Sequence, residues 1–189
     1  MRNQSVFVAG ARGLVGSAVV RKLKSAGHQR LLTPARTDLD LTDQAAVRRF
    51  FQAERPQLVF LTAGKVGGIQ ANATQQADFL YENLMIAANV IRAAADFGTE
   101  KLLYLGSSCV YPREAPQPIR ESALLGGPLE KTNEGYAIAK IAGVKLCEMF
   151  HRQYGKRFIS AMPANLYGPF DNFHPTGSHV IPGMMRRCH

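Results

Sequence analysis

The stretch S-V-F-V-A-G-A-R-G-L-V-G, residues 5–16, decides the fold. Ser5 to Ala9 is a short apolar run that ends in glycine, which predicts a buried strand. Gly10, Gly13 and Gly16 follow at three-residue intervals, and S-A-V-V-R-K-L-K-S-A then reads as a helix closed by Gly27. Strand, glycine turn and helix together form a dinucleotide-binding fingerprint. One glycine permits the tight turn, a second lets a pyrophosphate approach the backbone, and a third allows close packing of helix on strand. The helix N-terminus then faces the anion with its free N–H groups. The spacing is G-x-x-G-x-x-G rather than G-x-G-x-x-G.

The rest of the chain repeats the strand-then-helix alternation. Gln29 to Thr33 predicts a second strand, Thr42 and Asp43 start a helix through Ala53, and Leu58 to Ala63 predicts a third strand. A helical pattern from about Thr74 to Phe97 carries apolar residues at Phe79, Leu80, Leu84, Ile86, Val90 and Ile91. Leu102 to Leu105 and Phe158 to Met162 predict the fourth and fifth strands, with a helix from about Asn133 to Tyr154 between them. Pro112, Pro116, Pro118 and Pro128 mark the segment before that helix as a loop. The alternation implies an α/β fold: a Rossmann-type, doubly wound parallel sheet of order 3-2-1-4-5, forming one domain over residues 1–189.

Composition narrows the function classes. With 189 residues the chain can bury one sizeable core. No apolar run reaches membrane-spanning length, and the N-terminus enters a strand without a signal-peptide layout. Cys109, Cys147 and Cys188 are few, odd in number and far apart, which argues against a disulfide framework or a metal site and fits a reducing cytoplasm. The net charge of +9 admits nucleic acid, but the basic residues are scattered and no nucleic-acid-binding signature accompanies them. An anionic small ligand needs only a few focused cations. Arg36 follows the second strand where many NAD-binding folds place an acid, and Arg12 lies in the glycine loop. Two cations near the ribose suit a 2′-phosphate, so NADP is expected over NAD. Asp38 and Asp40 could cap the next helix or approach the adenine side.

Chemistry concentrates in T-N-E-G-Y-A-I-A-K-I-A, residues 132–142. Tyr136 and Lys140 are four apart on one helical face, so the ammonium can sit beside the phenol and favour its ionised form. The fourth strand delivers G-S-S-C-V-Y, residues 106–111, and a hydroxyl at Ser107 beside a crossing helix completes one site with the dinucleotide.

Glycine turn, Ser107, Tyr136 and Lys140 together resemble the short-chain dehydrogenase/reductase superfamily in its extended, nucleotide-sugar-modifying form. Within it the chain resembles the GDP-L-fucose synthases. That likeness is carried by K-V-G-G-I (65–69), G-S-S-C-V-Y-P (106–112), Y-A-I-A-K-I-A-G (136–143), N-L-Y-G-P-F-D-N-F-H-P (165–175) and S-H-V-I-P (178–182). The resemblance implies an NADPH-dependent epimerase-reductase acting on a GDP-4-keto-6-deoxy sugar. It implies Cys109 as base and His179 as acid for epimerisation, Tyr136 as proton donor, Lys140 as its partner and ribose ligand, and Ser107 on the substrate oxygen. NADP(H) would be lined by Gly10, Ala11, Arg12, Gly13, Leu14, Val15, Gly16, Arg36, Asp40, Leu41, Leu105, Gly106, Ser107, Ser108, Lys140, Pro163, Ala164, Asn165, Leu166 and His179. Arg187 would reach the GDP-sugar. The family also implies a homodimer through the two long helices, and a C-terminal substrate domain beyond the part matched here, so an N-terminal fragment is expected.

The chain departs from that family pattern at Gly64 for Ala, Gly135 for Pro, Ala164 for Thr and Phe170 for His. Two other readings stay open. One is a nucleotide-sugar 4-epimerase or 4,6-dehydratase, although a dehydratase would want an acid pair beside the Ser107 loop, which instead offers Cys109. The other is an inert NADPH-binding remnant.

Overall fold

The computed structural model describes residues 3–174, 178 and 180–188. Its frame is a sheet of five parallel strands: β1 (Val6–Ala9), β2 (Leu31–Leu32), β3 (Leu58–Leu61), β4 (Lys101–Leu105) and β5 (Arg157–Ala161). The helices are α1 (Leu14–Ser25), α2 (Gln44–Glu54), α3 (Ile69–Thr74), α4 (Gln76–Asp96), α5 (Glu134–Tyr154) and α6 (Val180–Cys188).

The strand order is β2-β1-β3-β4-β5, which corrects the expected 3-2-1-4-5. The third strand lies at the centre, between the first and fourth, rather than outside the second. Burial explains this. Val59 and Leu61 of β3 are almost wholly enclosed, which needs a neighbour on each side, whereas β2 has only two half-buried residues and suits an edge. The chain therefore leaves β1 toward β2 and returns on its other side. That reversal puts the switch point, where such sheets bind ligands, between the carboxyl ends of β1 and β3.

Local chemistry sets the element ends. Asp43 caps α2 by accepting from the amides of Ala45 and Ala46, at 2.8 and 3.0 Å. Asp38 accepts from the Ala35 amide and Asp40 from Thr42, so neither caps a helix. The helix expected over 74–97 is broken at Gln75, and α3 precedes it. There the Asn72 amide donates to the carbonyls of Gly67 and Gly68, tying α3 to the glycine loop after β3. Gly155 closes α5 in the left-handed conformation.

The main core fills the space between the sheet and the layer formed by α2, α4 and α5: Phe7, Val47 and Phe51 with Val59 and Leu61, continuing through Val90, Ile91, Tyr104, Val144, Cys147 and Phe158. Phe7 meets Phe50 and Phe51 at centroid distances of 4.8 and 5.7 Å, within the range of favourable aromatic pairs. Among the described residues no helix is long and apolar enough to cross a membrane, and no cluster of His, Cys, Asp or Glu could hold a metal ion.

The glycine turn is the tightest point of the fold. Gly10 has φ +83, and a Cβ there would stand 2.8 Å from the backbone of Ala63. A Cβ on Gly16 would stand 2.1 Å from the Gly10 carbonyl, whereas one on Gly13 would meet it at an ordinary 3.5 Å. We expect Gly16→Ala to destabilise the fold by on the order of 3 kcal/mol and Gly13→Ala by well under about 1 kcal/mol. Paired urea denaturation curves check this; equal midpoints for the two variants would contradict the packing described.

Candidate active site

The carboxyl end of β4, the loop after β3 and the first two turns of α5 meet around one group, the Lys140 ammonium. Lys140 is 4% exposed, and its Nζ donates to the Leu105 carbonyl at 2.8 Å. The rings of Tyr104 and Tyr136 flank it, with centroids 5.0 and 5.6 Å away. Tyr136 lies one helical turn earlier and meets Phe79 of α4 edge to face.

Ser107 follows β4 and caps a single 3-10 turn, accepting from the Cys109 amide at 3.4 Å. The Ser107 hydroxyl also interacts with the side chains of both Cys109 and Tyr136. Ser107, Cys109, Tyr136 and Lys140, expected together from sequence, do form one cluster. The loop after β5 lies beside it, since the Ser108 amide donates to the Pro163 carbonyl at 3.1 Å. Ala164, Asn165 and Leu166 continue that loop on the surface.

A dinucleotide fits the cradle on three observations. The N-terminus of α1 has no side-chain cap, which leaves its first N–H groups for an anion. A Cβ on Gly13, between the tightly packed Gly10 and Gly16, would meet only the Gly10 carbonyl at 3.5 Å, so the backbone there is open to an approaching pyrophosphate. Lys140 uses one of three donors on Leu105, with two left for ribose hydroxyls. Ala11, Leu14 and Val15 complete the glycine turn with the exposed Arg12, and Leu105 and Gly106 end β4 beneath the cluster. Arg36 and Leu41 lie on the loop after β2, where the Arg36 guanidinium is 3.6 Å from Glu82. Asp40 bonds Thr42, which holds its carboxyl below the usual range.

Comparison with known proteins agrees with this geometry. The model of the NAD dependent epimerase/dehydratase family matches residues 6–189. The chain belongs to that family. It is 57% identical over 189 residues to the GDP-L-fucose synthase of Escherichia coli strain K12, and 58% over 188 residues to GDP-L-fucose synthase 1 of Arabidopsis thaliana. All of this chain is covered in both cases, against 59% and 58% of those proteins, so it spans little more than half their length. Among solved structures, a GDP-D-glycero-L-gluco-heptose synthase from Campylobacter jejuni, determined in the presence of NADPH, matches at TM-score 0.94 and 41% identity. The two coverages are 99% of this chain and 55% of that one. A GDP-L-fucose synthetase from Naegleria fowleri bound to NADP matches at TM-score 0.89 and 32% identity, covering 100% of this chain and 62% of that one.

Two expectations about charge states in this epimerase/dehydratase chain need correcting. The Lys140 charge does not lower the Tyr136 phenol. Burial pushes the phenol above its ordinary value, the neighbouring Cys109 adds to that, and the Ser107 bond offsets only part. The ammonium stands over the ring face and bonds Leu105, rather than bonding the phenol oxygen. The role of base for Cys109 calls for a thiolate, yet burial raises its thiol, against the pull of Ser107 and Lys140. Arg187 is exposed on α6, where it bonds the Gly183 carbonyl of its own helix at 3.3 Å. His179 lies outside the described residues.

Sequence reading missed Asn83 and Glu82. Asn83, buried on α4, accepts from the Lys65 amide and donates to the carbonyls of Lys65 and Phe79. A Cβ on Gly64 would stand 2.7 Å from its Oδ1 and 3.6 Å from the Lys140 ammonium, so the glycine there admits this contact. Glu82 bonds Lys65 at 2.7 Å on the side opposite Arg36. The one available signal was a polar residue on a helix face otherwise set by Phe79, Ala87 and Val90. Gly135 is explained similarly, since a Cβ would stand 2.5 Å from the Gln76 carbonyl. Phe170 adopts φ +70 and lies under the Arg21 guanidinium. Nothing in the structure explains Ala164.

Burial lowers the Lys140 pKa to about 8. The folded state then binds its proton less tightly than the unfolded state, so native stability should rise with pH between about 8 and the ordinary lysine value near 10.5. Below that window the full penalty applies. Lys140→Met should therefore stabilise the fold at pH 7, by on the order of 1 kcal/mol, and that gain should vanish toward pH 10.5. Thermal denaturation of both proteins across pH 7 to 11 checks the sign (window after).

Proposed function

We propose that this chain carries the NADPH-binding and catalytic residues of a GDP-L-fucose synthase, which epimerises GDP-4-keto-6-deoxy-D-mannose at C3 and C5 and then reduces it at C4. One observation carries the reading: Cys109 shares a cluster with Ser107, Tyr136 and Lys140, where a dehydratase would need paired carboxyls. The names of the four proteins reported above, each a GDP-sugar enzyme, support the substrate class.

A 4-keto group acidifies the C–H bonds at C3 and C5. The Cys109 sulfur, as thiolate, takes one of those protons, and an acid on the opposite face returns one, inverting the centre without net redox. His179 is the acid that the family resemblance supplies. NADPH, when bound, provides the hydride for C4. Tyr136 gives the matching proton to the carbonyl oxygen, Ser107 holds that oxygen by hydrogen bond, and the Lys140 ammonium holds the nicotinamide ribose. Because burial raises the Cys109 thiol, exchange at C3 and C5 should climb with pH above the range of an exposed cysteine.

Arg36 and Arg12 take the 2′-phosphate, and Arg187 the diphosphate of the sugar. The enzyme works in the cytoplasm as a homodimer in this reading, joined through α4 and α5, where Tyr81, Ile138, Met149 and Tyr154 are exposed.

Nucleotide titration needs only the residues present here. Fluorescence titration should show NADPH binding more tightly than NADH, and Arg36→Ala should cost NADPH about 10- to 100-fold while sparing NADH. Equal affinities in the unaltered chain would remove NADPH from the proposal. Deuterium uptake by GDP-4-keto-6-deoxy-D-mannose should stop in Cys109→Ser and persist in Tyr136→Phe, which should lose NADPH oxidation instead. If both variants matched the unaltered chain, these roles would be wrong. Tight NADPH binding with neither exchange nor oxidation would confine the function of this chain to binding.

A further inference from the structure

Lys140 presents an unsolved electrostatic problem that the roles above do not address. Its ammonium is 4% exposed, and among the described residues no carboxylate lies within ion-pairing distance. A single carbonyl, Leu105, accepts from it. A buried charge with so little compensation is expelled or neutralised unless something else stabilises it. The remaining surface around the ammonium is aromatic, and Tyr104 has the closer ring.

Tyr104 is the fixed member of that pair. It is 1% exposed on β4, between β3 and β5, whereas Tyr136 is the group proposed to meet substrate. An independent feature of α5 shows that room has been made for the Tyr104 ring. Gly143 interrupts a 21-residue helix, one turn beyond Lys140, at a position where glycine weakens a helix. A Cβ at Gly143 would stand 2.4 Å from Cζ of Tyr104 and 2.5 Å from its Oη. The missing side chain is the slot in which the ring lies.

We propose that Tyr104 is a positioning residue: its ring, seated in the Gly143 slot, is the π platform that keeps the buried Lys140 ammonium charged and pointed at the Leu105–Tyr136 end of the site. This rests on the reading of Lys140 as the ribose-holding cation. A cation over an aromatic face is stabilised by the ring quadrupole, and the effect is largest when water is excluded. An aliphatic residue at 104 would fill the same slot and provide none of it. The other groups facing the ammonium are few. Cys109 lies on the loop after β4, Tyr136 on the same helix, and α4 presents the neutral Asn83 through the gap at Gly64.

The test is a lysine Cε-13C NMR titration of the full chain, with the Lys140 resonance assigned by its absence in Lys140→Arg. It should titrate near 8, well below the surface lysines. Tyr104→Phe should leave it in place. Placing 3,5-difluoro- and then 3,4,5-trifluorophenylalanine at 104 drains the ring face of charge at nearly constant shape. The Lys140 midpoint should then fall in steps, by about half a unit to one and a half units in all. NADPH affinity at pH 7.5 should fall in the same order. A flat series would overturn the proposal, because a platform that acts through its ring face must respond to graded loss of charge from that face. A Lys140 that titrates with the surface lysines in the unaltered chain would instead overturn the buried-cation reading beneath it.

Discussion

The bond from the Lys140 ammonium to the Leu105 carbonyl is the constraint around which the site is built. It fastens the first turns of α5 to the carboxyl end of β4, and so sets where Tyr136 stands relative to Ser107 and Cys109. It also requires a charge to remain in a nearly dry place. Much of the surrounding sequence reads as a response to that demand. Small residues at 64 and 143 make space for Asn83 and Tyr104, the two groups that approach from α4 and from the sheet. The result is stability sacrificed locally for a preorganised site, as is common where chemistry is done.

Burial has a second consequence. The same exclusion of water that depresses Lys140 raises Tyr136, Cys109 and Tyr104. Tyr136 and Cys109 are held in their neutral forms, beside a cation whose charge burial opposes. Desolvation dominates each value, and the neighbouring charges supply smaller corrections. The intuition that a lysine four residues from a tyrosine must lower its pKa fails here because the ammonium sits over the ring face and spends a donor on a carbonyl.

Much of the fold was legible because its signals are local. Residues 5–16 carry strand, turn and helix in one run, and every one of the five strands falls within a few residues of its expected place. Their order was not legible. Whether Leu58–Leu61 lies outside the second strand or inside the sheet depends on which edges are covered, and pairing partners leave no mark on a parallel strand that is apolar on both faces. The break at Gln75 was equally hidden, because no glycine or proline stands there to mark it.

The chain's residues, taken as a string, determined the glycine turn, the Tyr136–Lys140 spacing and the presence of Ser107 and Cys109 at a strand's end. These are short-range patterns that backbone geometry alone converts into a shared face or a tight turn. Only the tertiary structure decided what surrounds Lys140: Leu105, Tyr104 and the Asn83 contact, drawn from two other elements up to 57 positions away. Charge states in a buried site depend on the sum of such distant neighbours and on the water they exclude, which no local pattern contains.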